Sequence, residues 1–330
     1  MKMTKTMFMA FLLACAIGTG SVNGAEQKKT IRVAVSVYSR ASAFVRQWIS
    51  DLKQHPAVLD GRVKLYVFDS AGMHANQHMH FENITVMGHD AVIVVANDMY
   101  ASRSLVDLLA GTGIPVVASC AQTSAEGLEA FIGPDDVQAG YLTAMAVADE
   151  LDGRGNVVVL RGPMEQGATQ LRDVGIANAL ENYPQIREIR SVPAYWSKAA
   201  ARQVIRDLID RNLQIDGIIA QNDEMALGAI AELKRHNVAS IPVASIDGIQ
   251  EAVDAVRRGE LLQTLRQDST LEAQGAMDLA LRTVIGPEYM PESSAWSEEL
   301  LEQWEKGAPG NYLVPWEVIT ATKTEEVAQK

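Results

Sequence analysis

Beyond residue 30 the chain alternates short apolar runs with longer amphipathic stretches. Most of the apolar runs are nearly continuous in Val, Ile and Leu and have no alternating polar face. Such runs are typical of parallel strands that helices cover on both faces. The predicted strands are residues 31–37, 63–68, 91–95, 114–118, 157–160, 188–192, 217–220, 242–246, 261–265 and 314–320.

The stretches between these runs have helical length and amphipathic spacing. Repeated β-α-β units imply parallel sheets with right-handed crossovers. About ten strands fit two sheets of five to six strands better than one large sheet. The pattern therefore predicts an α/β protein of two doubly wound lobes. The predicted helices lie near residues 42–54, 75–87, 101–111, 135–151, 167–182, 198–212, 223–237, 248–258, 270–285 and 297–306.

Two segments interrupt the alternation. Residues 131–136 contain a Gly-Pro pair midway along the chain, followed by Asp135 and Asp136, either of which is a plausible helix cap. We interpret this segment as the first crossing between lobes. The second irregular segment, residues 288–311, holds one short acidic helix and interrupts the return to the last strand.

The first 24 residues have the order of a secretory signal peptide. Lys2 and Lys5 precede an apolar run of eleven residues, 7–17, and a segment of small and polar residues ends at Gly24. The run is too short to span a bilayer. Cleavage after Gly24 predicts an exported, periplasmic protein. The sequence Leu-Leu-Ala-Cys leaves open a lipoprotein anchored through Cys15.

Composition and charge exclude several classes of protein. The chain has 330 residues, of which 48% are hydrophobic and 21% charged, so collagen-like and low-complexity classes are excluded. The net charge of −12 and the lack of a Lys/Arg-rich run argue against a nucleic-acid partner. Cys120 is the only cysteine after Gly24, which excludes an intramolecular disulfide in the exported chain.

Catalytic and metal-binding motifs are not recognisable. The chain lacks G-x-S-x-G, a P-loop, and G-x-G-x-x-G after a strand. His74 and His78 share one helical face, but no third ligand follows at a metal-site spacing. No histidine is placed to activate Cys120 in a familiar signature. We predict a protein that is not an enzyme and has no cofactor or metal ion.

Polar or aromatic side chains follow several predicted strands in the second half of the chain. Ligands of open parallel sheets bind at these carboxyl ends. Each residue also has a purely structural interpretation, as a helix cap, a solvated arginine or a packed ring. Together they suit a small polyhydroxylated molecule, because carboxylates accept, guanidinium donates and amides do both, while a ring covers C–H groups. The candidates are Arg172, Trp196, Asn222, Asp247 and Gln267.

Three segments carry a family resemblance. Residues 220–229 (AQNDEMALGA), the R-x-x-G-I pattern from Arg172 to Ile176 and residues 245–248 (SIDG), with the export signal, resemble periplasmic sugar-binding proteins of the ribose and galactose type. The resemblance covers residues 31–320. It implies two lobes joined by three hinge crossings, closure on the ligand, and delivery to an ABC importer or a chemoreceptor. It places ligand contacts on the same five candidates.

The first lobe departs from this family pattern. Residues 37–44 are similar to the galactose-type opening and place Phe44 opposite Trp196, so that a ligand ring lies between them. Ser42 stands where the galactose type has a carboxylate, and residues 119–121 replace an Asp-Arg pair of the ribose type. Both departures argue against ribose and galactose as ligands. Arg40 is either an exposed loop residue or a further donor, which raises the alternative of a sugar acid.

The sequence thus predicts a monomeric solute-binding protein that captures a sugar or polyol for an ABC importer. The alternative is a ligand-sensing subunit for a membrane histidine kinase or chemoreceptor. We expect the N-terminal lobe to comprise residues 25–134 and about 269–310, and the C-terminal lobe residues 135–268 and about 311–330.

Overall fold

The computed structural model describes residues 29–123, 126–238, 241–306 and 310–322. The predicted signal peptide and Cys15 lie outside these residues. The described strands are β1 (Ile31–Val37), β2 (Val63–Asp69), β3 (Ala91–Val95), β4 (Val116–Ser119), β5 (Ala130–Pro134), β6 (Arg154–Arg161), β7 (Gln185–Pro193), β8 (Gly217–Ala220), β9 (Val243–Asp247), β10 (Gln263–Arg266), β11 (Asn311–Val314) and β12 (Glu317–Thr320).

Helices connect most of these strands, as the spacing predicts. Several helices begin at a Ser, Asp or Asn whose side chain accepts from a backbone N–H of the first turn, as Ser42, Asp135 and Asn222 do. The described helices are α1 (Ala43–Leu52), α2 (Pro56–Leu59), α3 (His74–Met87), α4 (Ser102–Ala110), α5 (Asp136–Glu150), α6 (Gly167–Leu180), α7 (Lys198–Asp210), α8 (Asp223–Arg235), α9 (Gln250–Arg257), α10 (Ser269–Ile285) and α11 (Glu298–Glu305).

The described strands form two sheets of six. Their orders are β11-β5-β4-β3-β1-β2 and β12-β10-β9-β8-β6-β7, and the strands pair in parallel except β10 with β12. Successive residues of a strand are buried in different apolar clusters. Val33 and Val35 of β1 pack in one cluster, while Ala34 packs in another on the opposite face. The predicted architecture of two doubly wound α/β lobes is therefore confirmed.

Residues 130–134 form a strand that the sequence pattern does not predict. We expected a joint there, but β5 is fully buried between β4 and β11. Its neighbour on one side, β11, comes from the far end of the chain, so local sequence carries no sign of the pairing. The crossing follows directly, because α5 packs its Ala139 against Ile246 and Leu265 of the second sheet.

The predicted last strand is two strands in different sheets. β11 pairs with β5 in the first sheet, and β12 pairs with β10 in the second. Pro315 lies between them and has no N–H to donate to a ladder, which separates the two pairings. A further crossing is therefore at residues 315–316. Residues 311–314 belong to the first sheet, whereas we expected the chain from about residue 311 to belong to the C-terminal lobe.

The irregular segment that follows α10 is held by one buried carboxylate. Asp278 has no exposed surface and accepts hydrogen bonds from Tyr289 Oη at 2.8 Å, Trp296 Nε1 at 2.8 Å and the Glu292 amide at 2.9 Å. His55 Nε2 lies 3.0 Å from the same carboxylate. These contacts and the aromatic rings of the segment close one face of the first lobe's core. The segment thus has a structural role.

Among the described residues, no helix is long and apolar enough to cross a membrane.

Candidate ligand-binding cleft

A cleft of about 420 Å³ lies between the lobes, at the carboxyl ends of strands from both sheets. A second pocket of about 1020 Å³ adjoins it and shares Tyr38, Ser42, Gln166 and Trp196 with its lining. The lobes touch across it, because the Ala43 amide lies 3.4 Å from Glu224 Oε2 and the Met99 amide donates to the Glu165 carbonyl at 3.0 Å. The structure is therefore a closed form. Predicted site residues that line the cleft are Ser42, Phe44, Arg172, Trp196, Asn222, Asp247 and Gln267.

Arg172 is the charged centre of the cleft. It is 4% exposed, and its Nε donates to Asp136 Oδ1 at 2.8 Å. Its Nη1 donates to the Gln221 carbonyl. The guanidinium lies 5.6 Å from the Trp196 ring and 5.8 Å from the Trp316 ring, within cation–π range of both. These contacts hold the side chain in one position before a ligand arrives.

Close packing of α5 on α6 places Arg172 at this depth. A Cβ at Gly140 would lie 2.1 Å from the Arg172 carbonyl oxygen, and one at Gly175 would lie 2.0 Å from the Val137 carbonyl oxygen. Only glycine permits both approaches. The glycines bring Asp136, at the start of α5, within hydrogen-bond distance of the guanidinium.

Asp247 presents its carboxyl group to the cleft from the end of β9. The residue is 9% exposed, and Arg172 Nη1 lies 3.9 Å from its Oδ1, beyond hydrogen-bond distance. Burial raises the pKa of Asp247 well above its usual value, while Arg172 lowers it and Asp223 raises it further. A buried carboxyl group of this kind favours a ligand that donates hydrogen bonds.

Asn222 and Gln267 have part of their amide groups occupied by the protein. Asn222 caps α8, since its Oδ1 accepts from the Met225 amide at 2.9 Å, which leaves its NH₂ group for the cleft. The cap and the ligand-binding interpretations of Asn222 are thus compatible. Gln267 is 7% exposed and donates through Nε2 to Glu272 Oε2 at 3.0 Å.

Two aromatic rings line the cleft from opposite lobes. Phe44 lies on α1 of the first lobe, and Trp196 follows β7 of the second. Trp196 Nε1 donates to Gln166 Oε1 at 2.6 Å. Gly162 supports the same ring, because a Cβ there would lie 2.0 Å from Trp196 Cζ2. Flat apolar surfaces of this kind suit the C–H faces of a ring or a folded polyol.

Residues 33–288 match the periplasmic binding protein domain family. This chain belongs to the periplasmic binding protein family.

Relatives of this periplasmic binding protein include a xylitol-binding protein of Mycolicibacterium smegmatis, 31% identical over 277 residues, which are 83% of this chain and 77% of the relative. A ribose import binding protein of Haemophilus influenzae is 27% identical over 82% of this chain and 89% of its own. A Bacillus halodurans ABC transporter solute-binding protein with bound myo-inositol has the same fold, with TM-score 0.81 and 22% identity over 92% of this chain and 99% of the other. The resemblance to periplasmic sugar-binding proteins is confirmed.

Arg40 does not reach the cleft of this binding protein. Its side chain is exposed, and its Nη2 donates to the Val67 carbonyl at 3.3 Å while its amide bonds to Asp69 Oδ1 at 3.2 Å. The loop after β1 therefore turns this guanidinium towards β2 and away from the ligand residues. Arg40 is not among the residues that line the cleft, which favours its interpretation as an exposed loop residue over that as a ligand donor and weakens the basis for a sugar acid.

The predicted ligand set omits several residues of the site, among them Tyr38, Gln166 and Asp136. Tyr38 follows β1 beside Ser42, and burial raises the pKa of its hydroxyl. Its place directly after a strand is the signal that identified Asn222 and could have identified Tyr38 too. Gln166 and Asp136 act by holding Trp196 and Arg172, and a contact between side chains distant in sequence has no local signal.

Carboxyl groups outnumber cations around the cleft. Asp136, Asp247 and Glu272 are buried there, and the one buried guanidinium among the described residues is that of Arg172. Burial raises the pKa of Asp136, against the opposing effect of Arg172. No group of His, Cys, Asp and Glu in the described part of the chain is arranged to hold a metal ion.

Proposed function

We propose that this chain is an exported, non-enzymatic solute-binding protein that captures a sugar or polyol between its lobes and delivers it to an ABC importer. It works as a monomer in the periplasm. The observation that carries the proposal is the cleft itself, where Asp247, Asn222 and Gln267 offer hydrogen-bonding groups between the rings of Phe44 and Trp196. Relatives named for xylitol and ribose support the same class of ligand.

Each polar group recognises a hydroxyl of defined direction. Asp247 accepts hydroxyl protons, the free NH₂ of Asn222 donates to a hydroxyl oxygen, and Arg172 donates to another. A ligand that lacks one of these hydroxyls leaves a buried group unpaired, which costs about 1 to 3 kcal/mol. Selectivity among sugars and polyols of similar size follows from these penalties.

The ligand of this proposal is uncharged. Arg172 is already paired with Asp136 at 2.8 Å, and Asp247 lies 3.9 Å from the same guanidinium. A carboxylate on the ligand would add a charge beside Asp136 and Asp247, the carboxyl groups whose pKa values burial already raises, with no unpaired buried cation to balance it, and this disfavours binding. Sugar acids are therefore expected to bind poorly.

Capture and release follow from lobe closure. The closed cleft buries its polar groups, and the contact of the Ala43 amide with Glu224 joins the lobes at the cleft edge. A ligand that touches both lobes shifts the population from open to closed. The closed form is the one that the importer receives.

A thermal-shift screen tests the proposal. Ligand-stripped mature protein is scanned with pentoses, hexoses, alditols, cyclitols and sugar acids. A ligand at 100 times its Kd adds about 2.7 kcal/mol of stability, enough to raise Tm measurably. We expect a neutral sugar or polyol to raise Tm, and Asp247→Asn to abolish the shift. No shift from any neutral sugar or polyol, or a larger shift from a sugar acid, contradicts the proposal.

Uptake separates the importer from the sensor. A strain that lacks this protein is expected to lose accumulation of the radiolabelled ligand identified in the screen. Unchanged uptake together with a lost transcriptional or chemotactic response contradicts delivery to an importer and favours the sensing alternative.

A further inference from the structure

A buried carboxyl group stands behind the ligand residue Gln267. Glu272 lies in the first turn of α10 and has no exposed surface. Its Oε2 accepts from Gln267 Nε2 at 3.0 Å. The Ser119 hydroxyl donates to the Glu272 carbonyl oxygen at 3.2 Å, which ties this turn to the end of β4. Gln267 lines the cleft, whereas Glu272 is not among the lining residues.

The two ends of a glutamine amide are chemically different. The NH₂ group only donates, and the carbonyl oxygen only accepts. An ionised carboxylate accepts and has nothing to donate, so an ionised Glu272 binds the NH₂ group of Gln267. The amide oxygen is then turned to the cleft, where Gln267 is one of the lining residues.

We propose that Glu272 is a positioning residue for ligand recognition: its carboxylate fixes the Gln267 amide so that the carbonyl oxygen faces the cleft as an acceptor for a ligand hydroxyl. The ligand part of this proposal rests on the proposed function, and the amide orientation stands independently of it. The carbonyl oxygen of Gln267 thereby selects a ligand hydroxyl that donates a hydrogen bond. It disfavours a ligand that has an ether oxygen or a deoxy carbon at the same point.

The surroundings of Glu272 make this orientation dependent on pH. Burial raises the pKa of Glu272 to about 8, opposed by its contacts with Gln267 and Cys120. Cys120 from the end of β4, Asp136 from α5 and Asp268 from the cap of α10 are the titratable groups that face it. These three groups are two acids and a thiol, and none of them is a cation. None of them therefore stabilises the ionised form of Glu272 by pairing with its charge.

Protonation of Glu272 changes what its carboxyl group can do. A protonated carboxyl group also donates, so it can hold either end of the Gln267 amide, and the fixed orientation is lost. An ionised carboxylate restores it as pH rises through the pKa. The Gln267 amide is therefore expected to report the ionisation of Glu272 directly.

Side-chain amide resonances of the mature protein, recorded from near pH 6 to near pH 10, test the proposal. We expect the NH₂ protons of Gln267 to shift with a midpoint close to the Glu272 pKa of about 8. Glu272→Gln removes the ionisable group and should abolish that shift. Glu292→Gln, which changes a glutamate paired with Arg62 outside the cleft, should leave it intact. A Gln267 amide insensitive to pH, or an equal shift in Glu272→Gln, overturns the proposal.

Ligand binding gives the second measurement, with xylitol, D-ribose and myo-inositol as probes near pH 9. For any probe that binds, Glu272→Met is expected to weaken the Kd by about fivefold, because the amide is no longer held. Glu272→Gln, like the protonated acid, can hold either end of the Gln267 amide, so its Kd should lie between those of the parent and Glu272→Met. Equal Kd values for the parent and Glu272→Met overturn the ligand part. If none of the probes binds, the neutral ligand that gives the largest thermal shift replaces them, and the amide spectrum still decides the orientation; no shift from any neutral sugar or polyol would contradict the proposed function alone.

Discussion

Replacing Arg172 by methionine should destabilise the protein strongly and in a way that depends on pH. Methionine keeps the length of the side chain and removes the charge. Asp136, which has no exposed side-chain surface, then loses the Nε donor at 2.8 Å. Removal of one partner from a buried ion pair costs about 3 to 5 kcal/mol because the other charge is left uncompensated.

The pH dependence follows from the proton balance of Asp136. Burial already raises its pKa, and Arg172 is the group that opposes this effect. In Arg172→Met the folded state keeps a proton on Asp136 that the unfolded state releases at a lower pH. Stability therefore falls as pH rises, by up to about 1.4 kcal/mol per pH unit. The deficit relative to the parent should be larger near pH 8 than near pH 5.

Urea unfolding followed by tryptophan fluorescence measures this deficit. The double variant Asp136→Asn with Arg172→Met removes both charges and should recover most of the loss, since a buried pair replaced as a whole is often nearly neutral. Arg161→Met breaks the more exposed pair with Asp173 and should cost only about 1 kcal/mol. A loss below about 1 kcal/mol in Arg172→Met, or one that does not change with pH, refutes the reasoning.

Two further substitutions test the support of the site and the fold. Gly162→Ala should weaken ligand affinity at least about tenfold in calorimetry, because the added Cβ would lie 2.0 Å from Trp196 Cζ2 and displace the ring. Gly111→Ala is the control, since no atom lies within 4 Å of its Cβ, and it should leave the Kd unchanged. Asp278→Ala should lower the free energy of unfolding by about 3 kcal/mol or more, since several buried donors lose their acceptor, and leave the Kd intact. Asp60→Ala is the exposed control, and equal losses in the two aspartate variants would refute the role of Asp278.

Much of the fold is predictable from the sequence because the lobes repeat one local unit. Continuous apolar runs predict strands covered on both faces, and the same signal identifies most of the strands. The failures have one physical cause. β5 and β11 pair with each other although they are far apart in the sequence, and the Gly-Pro sequence of β5 resembles a turn when it is considered alone.

The cleft residues divide in the same way. Asn222, Asp247 and Gln267 are predictable because parallel strands bring their carboxyl ends to one edge. Asp136, Gln166 and Glu272 each hold another side chain of the site on a different element, and Gln166 also lines the cleft. The two interpretations of Arg40 could not be separated from the sequence, because proximity in sequence to Ser42 does not fix the direction in which a loop turns its guanidinium.

Isothermal titration calorimetry of the ligand-stripped mature protein tests the central claim most directly. With the neutral sugar or polyol that gives the largest thermal shift, we expect one ligand per chain, little or no binding by Trp196→Ala and Asp247→Asn, and an unchanged Kd in Arg40→Ala. Parent-like affinity in both cleft variants, or loss of binding in Arg40→Ala alone, would contradict the account.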